Sequence, residues 1–280
     1  MKIIVSHDID HLSVREHIFK DLIIQKYLVW SLLELIKKKI SLKIFSRKII
    51  RLFKKDSWNN LGKLLKFDQV NGVDSTFFVA VNNGKGLSYS LNQAKTAINL
   101  IKKYDFDVGV HGICFDNYEE MRREYEVFKE ISNLNNFGIR MHYLRLNQET
   151  LENLAKIGYL FDTTILSDNL EQEYKIDELT EIPFHIMDGN LLGPRQNLTL
   201  EEAKEKTMKL SERAEKENKK YVALLFHQRY FSEEFPQYKN WYFWLIDYCR
   251  ERKYEFVNYK KFITDTRCPI TITLKPTQVS

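Results

Sequence analysis

Only three cysteines occur in this 280-residue sequence, and they form no CxxC pair. So sparse and odd a number argues against a disulfide framework and fits a reducing compartment. Proline and glycine are also scarce, with 5 and 10 residues, and no linker-like or low-complexity stretch is visible. The longest apolar stretch, residues 27–36, is interrupted by Ser31 and Glu34. A membrane-spanning helix needs about 20 apolar residues, so this stretch is too short to be one.

Neither sign of charge is in large excess, because the formal net charge is +5, which is too small to indicate nucleic-acid binding. The charge is unevenly distributed, since residues 15–55 contain twelve lysines and arginines against three acidic residues, a local balance of +9. Two amphipathic helices are predicted here, with Tyr27, Trp30 and Leu33 on the apolar face of the first. One interpretation is a helical insertion with a solvated basic face. The other is a basic surface that contacts anionic lipid or the phosphates of a glycolipid substrate.

The cellular location is predicted from two features. The amino-terminal residues run directly into a predicted strand, without the charged and apolar regions of a signal peptide. Together with the few cysteines, this predicts a cytoplasmic protein that associates with a membrane, if at all, peripherally through the basic insertion. A further interpretation makes that insertion the main functional part, as in a peripheral membrane adaptor.

Strand and helix patterns alternate along the chain, which predicts a parallel sheet. Runs rich in β-branched and aromatic residues predict strands at 3–5, 73–81, 106–112, 139–143, 161–166, 180–186, 221–227 and 254–257. A chain of this length is normal for one α/β barrel. We therefore predict an α/β fold, an irregular (β/α) barrel of about seven strands. It would form a single domain over 1–265, with a helical insertion at about 14–66 and a C-terminal arm at 266–280.

The first predicted strand ends in a cluster of ionisable side chains: His7, Asp8, Asp10 and His11. In α/β sheets the carboxyl ends of the strands carry the chemistry. Residues two apart in an extended chain point the same way, so Asp8 and Asp10 are predicted to share a face. Two adjacent carboxylates repel unless a cation or a proton lies between them. The pattern indicates a metal ligand paired with a general base, although a helix N-cap or a turn would also account for the aspartates.

Three later predicted strands also end in polar side chains: His111, Arg140 with His142, and His227. One histidine at a strand end is usually a hydrogen-bonded structural residue, but four polar strand ends on one barrel face indicate a site. Aspartate and histidine bind zinc and other first-row divalent ions. Such an ion makes water nucleophilic near neutral pH. A carboxylate can take the proton of that water, and a histidine can protonate a leaving amine. These residues therefore predict hydrolysis of an amide or ester.

In their order along most of the chain, these motifs resemble the polysaccharide deacetylase family (the NodB-homology domain). Residues 6–10 resemble its first motif in the Asp-x-Asp form, and 74–79 resemble its second core strand. Residues 108–112 resemble the start of the His-x-x-x-His metal motif. Residues 140–143 resemble the Arg-x-Pro-Tyr motif, and 224–227 resemble the closing Leu-x-x-His motif. The helical insertion is most similar to that of cytoplasmic members acting on lipopolysaccharide or capsule precursors.

The resemblance implies a role for each matched residue. Asp8 corresponds to the catalytic base, Arg140 to the arginine that holds it, and His227 to the acid that protonates the leaving group. Asp10 and His111 correspond to ligands of a divalent metal, with zinc as the expected ion. The implied fold is a distorted (β/α) barrel with the metal at the strand C-termini. The implied reaction removes an N-acetyl group from an amino sugar of a glycan or glycolipid precursor.

The sequence departs from the family at the second metal histidine. That residue should stand four positions after His111, where Phe115 stands instead, and phenylalanine cannot bind a metal. We expect the adjacent Asp116 to supply the third ligand, with His142 or a histidine of the first motif as the alternatives. If none of them binds, the protein is a non-catalytic barrel that binds carbohydrate or serves as a scaffold.

Substrate contacts are predicted beside the metal site. His142, which stands where the family has proline, is expected to contact the substrate together with Tyr143 and Arg145. Arg145 and Arg195 can bind a phosphate or carboxylate of the substrate, although surface pairing also accounts for each. The aromatic residues that follow His227 predict either a platform for sugar rings or, at helical spacing, part of the core.

Overall fold

The computed structural model describes residues 1–18, 21–54 and 58–266. These ranges contain ten strands: β1 (Lys2–Ile9), β2 (Ser75–Val79), β3 (Asp107–Gly112), β4 (Ile139–Met141), β5 (Phe161–Asp162), β6 (Tyr174–Ile176), β7 (Leu179–Glu181), β8 (Ile186–Met187), β9 (Tyr221–Leu225) and β10 (Glu255–Val257). They also contain ten α-helices: α1 (Ile23–Ile36), α2 (Leu42–Leu52), α3 (Leu61–Val70), α4 (Leu91–Lys103), α5 (Tyr118–Ser132), α6 (Thr150–Ile157), α7 (Asp188–Leu191), α8 (Leu200–Lys216), α9 (Pro236–Glu251) and α10 (Tyr259–Thr266). The predicted C-terminal arm lies outside the described residues from 267 onward, so the division into one domain and an arm stays a prediction.

The ten strands form one sheet that curls into an irregular, open (β/α) barrel. Its order is β6-β7-β5-β4-β3-β2-β1-β9-β8, and β10 pairs with the first half of β1. The pairs are parallel except for β6 with β7. The predicted α/β barrel is confirmed, with ten strands instead of about seven. Several of these strands have only two or three residues, too few to show a two-residue periodicity.

β1 is the central strand, because it pairs with β2, β9 and β10 at once. Its side chains alternate between two layers. Ile4 packs inside the barrel with Tyr259, whereas Ile3 and Val5 pack against the helices. Each fully buried aliphatic side chain contributes about 1.5–3 kcal/mol to folding. The strand continues through Ile9 because its pairing with β2 extends to that residue.

Local sequence signals begin and end the helices that cover the sheet. α4 begins with a capping box of Ser90 and Gln93, and α8 begins with one of Thr199 and Glu202. α6 ends at Gly158, whose φ of 102° suits glycine because a side chain would clash with the backbone there. Each N-terminal cap stabilises its helix by about 1 kcal/mol.

The predicted insertion at 14–66 contains a 3-10 turn (Val14–His17), α1, α2 and the first part of α3. Both predicted amphipathic helices are present, but the predicted inward face of α1 is wrong in part. Tyr27 is buried as expected, yet Trp30 and Leu33 are exposed and Ser31 is buried in their place. In the part of the chain that the structure describes, no helix is both long enough and apolar enough to cross a membrane.

Close packing of β4 against β5 requires Gly138, the residue that precedes β4. A Cβ atom at Gly138 would lie 2.3 Å from ring carbons of Phe161, which is fully buried. We expect Gly138→Ala to lower the free energy of unfolding by about 1–3 kcal/mol, because the ring has no space to move into. Urea denaturation measures this change.

Gly62→Ala is the matched control. Gly62 lies within α3, and its Cβ position has no atom within 4 Å. Alanine there is expected to raise the free energy of unfolding by roughly 0.5–1 kcal/mol, because it favours the helix. Equal changes at the two positions would contradict the close approach of β4 and β5.

Candidate metal centre and active site

Seven charged or titratable side chains meet at one edge of the sheet. Because the strands that carry them are parallel, their carboxyl ends lie at that same edge. The side chains are Asp8 and Asp10 from β1, His111 from β3, Arg140 and His142 from β4, Asp188 from β8, and His227 from β9, each at or just after the end of its strand. The four strand ends singled out from the sequence are therefore brought together, and a fifth joins them.

Arg140 anchors Asp8 inside the barrel. The guanidinium is fully buried, and Nη1 donates to Asp8 Oδ1 at 3.0 Å. Nη2 donates to Ser6 Oγ at 2.9 Å and to Tyr259 Oη at 3.0 Å, while Nε donates to the carbonyl of Thr163 at 2.9 Å. A buried charge is stable only when it is paired and hydrogen-bonded in this way. The second Asp8 oxygen is left facing the site.

Asp10, His111 and His142 bring three ligand atoms together, all within 4.8 Å of one another. Asp10 Oδ1 lies 3.2 Å from His111 Nε2 and 3.7 Å from His142 Nδ1. The two histidine nitrogens are 3.0 Å apart. We call these three residues the metal-centre triad. Asp8 lies beside the triad, with Oδ2 at 3.8 Å from His111 Nε2.

The rings of His111 and His142 each use one nitrogen to donate a hydrogen bond away from the triad. The other nitrogen of each ring faces the triad and carries no proton in this tautomer. His111 Nδ1 donates to the carbonyl of Arg140 at 3.1 Å, and His142 Nε2 donates to the carbonyl of Lys85 at 3.2 Å. In these neutral tautomers, both lone pairs point toward each other and toward Asp10. Asp10 Oδ1 is buried and has no hydrogen-bond partner among the described residues. Three converging acceptors repel unless a proton or a metal ion lies among them.

The pKa values reflect the same crowding. Burial lowers the pKa of His111, but the carboxylates of Asp8 and Asp10 outweigh burial and leave this pKa raised. Burial also lowers the pKa of His142, to about 4. For Asp10, burial acts to raise the pKa, but the neighbouring histidines hold it well below the usual value. The triad therefore holds an anionic carboxylate beside a neutral imidazole and attracts positive charge.

The third member of the triad differs from the first expectation. Asp116 is exposed and lies outside the group, while Phe115 packs under Arg145, 4.9 Å from the guanidinium carbon to the ring centre. His142, an alternative from the sequence, stands in that position instead. It reaches the triad because the chain turns sharply after β4, where Tyr143 has a φ of 59°. Two imidazole nitrogens and one carboxylate oxygen are a ligand set that fits zinc and leaves a position for water.

His227 lies next to the triad, with Nε2 at 3.9 Å from Asp10 Oδ2. Asp188 orients it, because His227 Nδ1 donates to Asp188 Oδ1 at 2.6 Å and the His227 backbone N–H donates to Oδ2 at 2.7 Å. Burial lowers the pKa of His227, but the Asp188 carboxylate outweighs burial and raises that pKa to about 10. The ring is therefore cationic near neutral pH and can donate a proton from Nε2.

Sequence reasoning missed Asp188. This residue follows the strand predicted at 180–186 by two positions, and β8 in the structure ends at Met187, directly before it. The rule that identified the other strand-end residues would have included Asp188 if it had been applied to that strand as well.

A second cluster, His11 with Glu16 and His17, also has the composition of a metal site. Its histidines, however, are satisfied without a metal. Arg229 donates to His11 Nε2 at 3.3 Å, which leaves the proton of His11 on Nδ1. His11 Nδ1 then donates to His17 Nε2 at 2.8 Å, and His17 Nδ1 donates to Asp21 at 2.8 Å. The guanidinium beside His11 also repels a cation, so this cluster is a hydrogen-bonded chain rather than a second centre.

Three other residues named from the sequence have different surroundings. His7 points into the helix layer, where its ring nitrogens lie 2.8 Å from Asp68 Oδ2 and 2.8 Å from the Phe226 carbonyl. Arg145 donates to the carbonyl of His142 at 3.1 Å and so holds the turn after β4. Tyr143 is 67% exposed.

A cavity of about 540 Å³ opens over the triad. Asp8, Asp10 and His227 lie in it, and the inserted helix α1 forms part of its wall. Its aromatic lining is Tyr27, Trp30, Tyr143, Tyr230, Phe235 and Tyr238. Of the aromatic residues that follow His227, Tyr230, Phe235 and Tyr238 thus line the cavity, whereas Trp241 is fully buried in the core.

Similar folds occur in solved structures. A Mycobacterium smegmatis protein described as a polysaccharide deacetylase aligns with a TM-score of 0.64 and 16% identity, over 98% of this chain and 94% of that one. Puue allantoinase aligns with a TM-score of 0.63 and 11% identity, over 97% and 91%. A CE4-family pseudoenzyme from Bacillus anthracis aligns with a TM-score of 0.50 and 8% identity, over 93% and 64%. No protein-family model and no curated protein matches the sequence significantly.

The chain therefore has the same (β/α)-barrel fold as these polysaccharide deacetylase and allantoinase structures. The resemblance to the polysaccharide deacetylases, first noted in the short motifs, is confirmed for the fold.

The ligand set of the metal-centre triad predicts that the purified protein contains a divalent metal. We expect elemental analysis of the purified protein to find about one equivalent of a divalent metal, because its ligand set matches that of catalytic zinc sites. Asp10→Ala, His111→Ala and His142→Ala each remove one ligand and should each weaken metal binding by more than about 100-fold.

Asp116→Ala is the matched control, because it removes an exposed carboxylate that lies five residues after His111 and outside the metal-centre triad. This variant should keep the metal. Loss of the metal in Asp116→Ala together with retention in His142→Ala would show that the third ligand is wrongly assigned.

Proposed function

We propose that this protein is a metal-dependent hydrolase that removes an N-acetyl group from an amino sugar. The substrate would be a glycan or glycolipid precursor of a cell-surface polysaccharide, such as a lipopolysaccharide. One observation carries the proposal: the three ligand atoms of the triad converge between a carboxylate held by Arg140 and an imidazolium held by Asp188. An acid, a base and a cation site within one cavity are the parts that amide hydrolysis needs.

Asp10, His111 and His142 would hold the metal, with zinc as the expected ion. A divalent ion there supplies positive charge that makes water acidic near neutral pH and stabilises the negative charge that develops on an amide oxygen. Asp8 accepts the proton from the attacking water through Oδ2, because Oδ1 is already engaged by Arg140. The buried guanidinium fixes the direction of that carboxylate through the bond to Oδ1.

His227 completes the reaction as the general acid. Its Nε2–H gives a proton to the nitrogen of the amide as the C–N bond breaks, so that the sugar leaves as a neutral amine. Asp188 holds the ring in the tautomer and orientation that this transfer needs, by its bonds to Nδ1 and to the backbone N–H. After the transfer, Asp188 again favours the protonated ring.

The cavity supports a carbohydrate as the substrate. Exposed Tyr143 and the rings of Tyr230 and Tyr238 offer flat apolar faces beside polar groups, which suits the alternating apolar and hydroxylated faces of a sugar. The scarcity of cysteine supports a cytoplasmic, reducing setting, where polysaccharide precursors are assembled. A precursor carried on a lipid would require the protein to work at a membrane surface.

The alternative is a non-catalytic barrel that binds carbohydrate. Phe115 in place of the family's second metal histidine favours it, and a pseudoenzyme is among the proteins of similar fold. This alternative predicts no bound metal and no hydrolysis, together with glycan binding that survives replacement of Asp8 and His227. The presence of His142 among the acceptors favours the catalytic proposal.

Hydrolysis should depend on both proton-transfer groups. We expect Asp8→Asn and His227→Ala each to lower kcat/KM for acetylated amino-sugar oligomers by about 10²–10⁴-fold, because each removes one proton transfer. Release of acetate measures the rate. Asp116→Asn is the control, since it makes the same chemical change in an exposed carboxylate outside the triad. Unchanged rates in the first two variants would remove the basis of the proposal.

The pH profile should reveal the role of Asp188. Replacing it in Asp188→Asn removes the charge that most raises the pKa of His227. His227 must be protonated to act as the acid, so activity is lost as pH rises through its pKa. We expect the alkaline limb of kcat/KM to move to lower pH by roughly 1–2 units in the variant. A loss of activity that is equal at every pH would instead indicate a purely structural role for Asp188.

A further inference from the structure

Helix α1 carries its large apolar side chains on the outside. Within this helix of 14 residues, Val29 is 58% exposed and Ile36 is 66% exposed. The exposed apolar residues of the helix are Leu28, Val29, Trp30, Leu32, Leu33 and Ile36. We call these six residues the α1 apolar face. Monomeric proteins rarely expose so continuous an apolar surface unless it meets a partner or a membrane.

The inward side of α1 packs Ile23 and Ile24 near its start, but it carries polar groups further along, where it forms part of the cavity wall. Ser31 is buried there, and the Tyr27 hydroxyl donates to Glu234 at 3.3 Å. Glu34 accepts from buried Lys48 of α2 at 2.6 Å. The usual arrangement of a surface helix, apolar inside and polar outside, is therefore reversed over residues 28–36. Because apolar side chains are more stable out of water, this arrangement favours contact with an apolar environment outside the protein.

Trp30 links the two faces of the helix. Its side chain is more than half exposed, yet it also lines the cavity over the metal-centre triad. The apolar face and the opening of the cavity are therefore continuous at this residue. Tryptophan is also the side chain most enriched at the boundary between lipid and water.

Lysines surround the apolar face. Lys37, Lys38 and Lys39 follow directly after α1 and are exposed, and Lys26 is exposed within it. Lys26, Lys37 and Lys38 have no acidic partner among the described residues. Anionic phosphates attract such lysines, and each lysine near a negatively charged membrane strengthens binding about fivefold. An apolar face with a lysine border is typical of helices that lie in the plane of a bilayer surface.

We propose that the α1 apolar face docks the protein on an anionic lipid bilayer, with its side chains among the acyl chains and the lysines at the phosphates. A 14-residue helix is about 21 Å long and lies in the surface rather than crossing it. Docking in this way brings the opening of the cavity to the bilayer at Trp30. The substrate class, which rests on the hydrolase function proposed above, is then an acetylated amino sugar linked to a membrane lipid.

A second copy of the chain fits this face less well than a bilayer. In a symmetric dimer the same patch meets itself, so Lys37 and Lys38 of the two copies would lie close together. Like charges at an interface oppose association, whereas the same lysines favour an anionic surface. Charge complementarity therefore selects the bilayer.

Vesicle flotation with the full chain tests the docking. We expect binding to vesicles of phosphatidylcholine mixed with phosphatidylglycerol, much weaker binding to phosphatidylcholine alone, and weakening at high salt. Val29→Ser combined with Ile36→Ser should reduce partitioning by at least about tenfold, because both side chains leave water on docking. Val70→Ser combined with Leu91→Ser is the matched control, since these exposed aliphatic residues lie on α3 and α4.

The lysines are tested separately. Lys37→Gln combined with Lys38→Gln should reduce binding to the anionic vesicles by about 30-fold. Lys95→Gln combined with Lys103→Gln removes the same charge from α4 and should leave binding nearly unchanged. No binding by wild type, or equal binding by both members of either pair, would overturn the docking proposal. So would a stable dimer that Val29→Ser with Ile36→Ser dissociates.

Hydrolysis of a soluble acetylated oligomer, measured on the same preparations, separates the two proposals. The cavity lining does not include the four substituted residues, Val29, Ile36, Lys37 and Lys38. These variants should therefore hydrolyse the soluble substrate at the wild-type rate. Vesicle binding without hydrolysis would leave the docking in place and contradict the hydrolase function. Hydrolysis without vesicle binding would support the hydrolase function and contradict the docking.

Discussion

The buried pairing of Arg140 with Asp8 is the interaction on which the rest of the structure depends. The guanidinium lies inside the barrel between the rings of Phe78 and Phe184, at 4.6 and 4.8 Å from their centres. A charge in that position is stable only when it is paired and hydrogen-bonded, and Arg140 donates to groups on β1, on the segment after β5 and on α10. Elements far apart in the sequence are thereby joined at one point, and Asp8 is fixed beside the metal-centre triad.

Histidines with similar neighbours serve different purposes in this protein. His7 is bonded on both ring nitrogens within the helix layer, and the chain from Arg229 through His11 to Asp21 is complete with protons alone. Among the histidines of the described ranges, His111 and His142 alone face each other and Asp10 with the ring nitrogen that their backbone hydrogen bonds leave free. Ligand type and spacing do not separate these cases. The clusters differ in the number of hydrogen-bond donors relative to acceptors, because acceptors in excess of donors are stabilised by a bound cation.

The insertion connects the chemistry of the site to the outside of the protein. α1 contributes polar and aromatic side chains to the cavity and aliphatic side chains to the surface, so one helix forms part of both. Its reversed orientation follows from what lies beneath it. The cavity wall favours Ser31 and Glu34 on the inside, where Lys48 can neutralise Glu34, and the apolar residues are left outside. The local excess of positive charge noted in the sequence then borders an apolar surface.

The sequence by itself determined the alternation of strands and helices, the buried first strand and the residues at four strand ends. These are local signals: periodicity, capping residues and polar side chains directly after apolar runs. Tertiary structure alone decided that His142 rather than Asp116 joins Asp10 and His111, that Asp188 holds His227, and that α1 turns its apolar face outward. Each of these depends on the turn after β4, on strand order or on the surroundings of a helix. Such features arise from contacts between distant segments, which periodicity along the chain does not record.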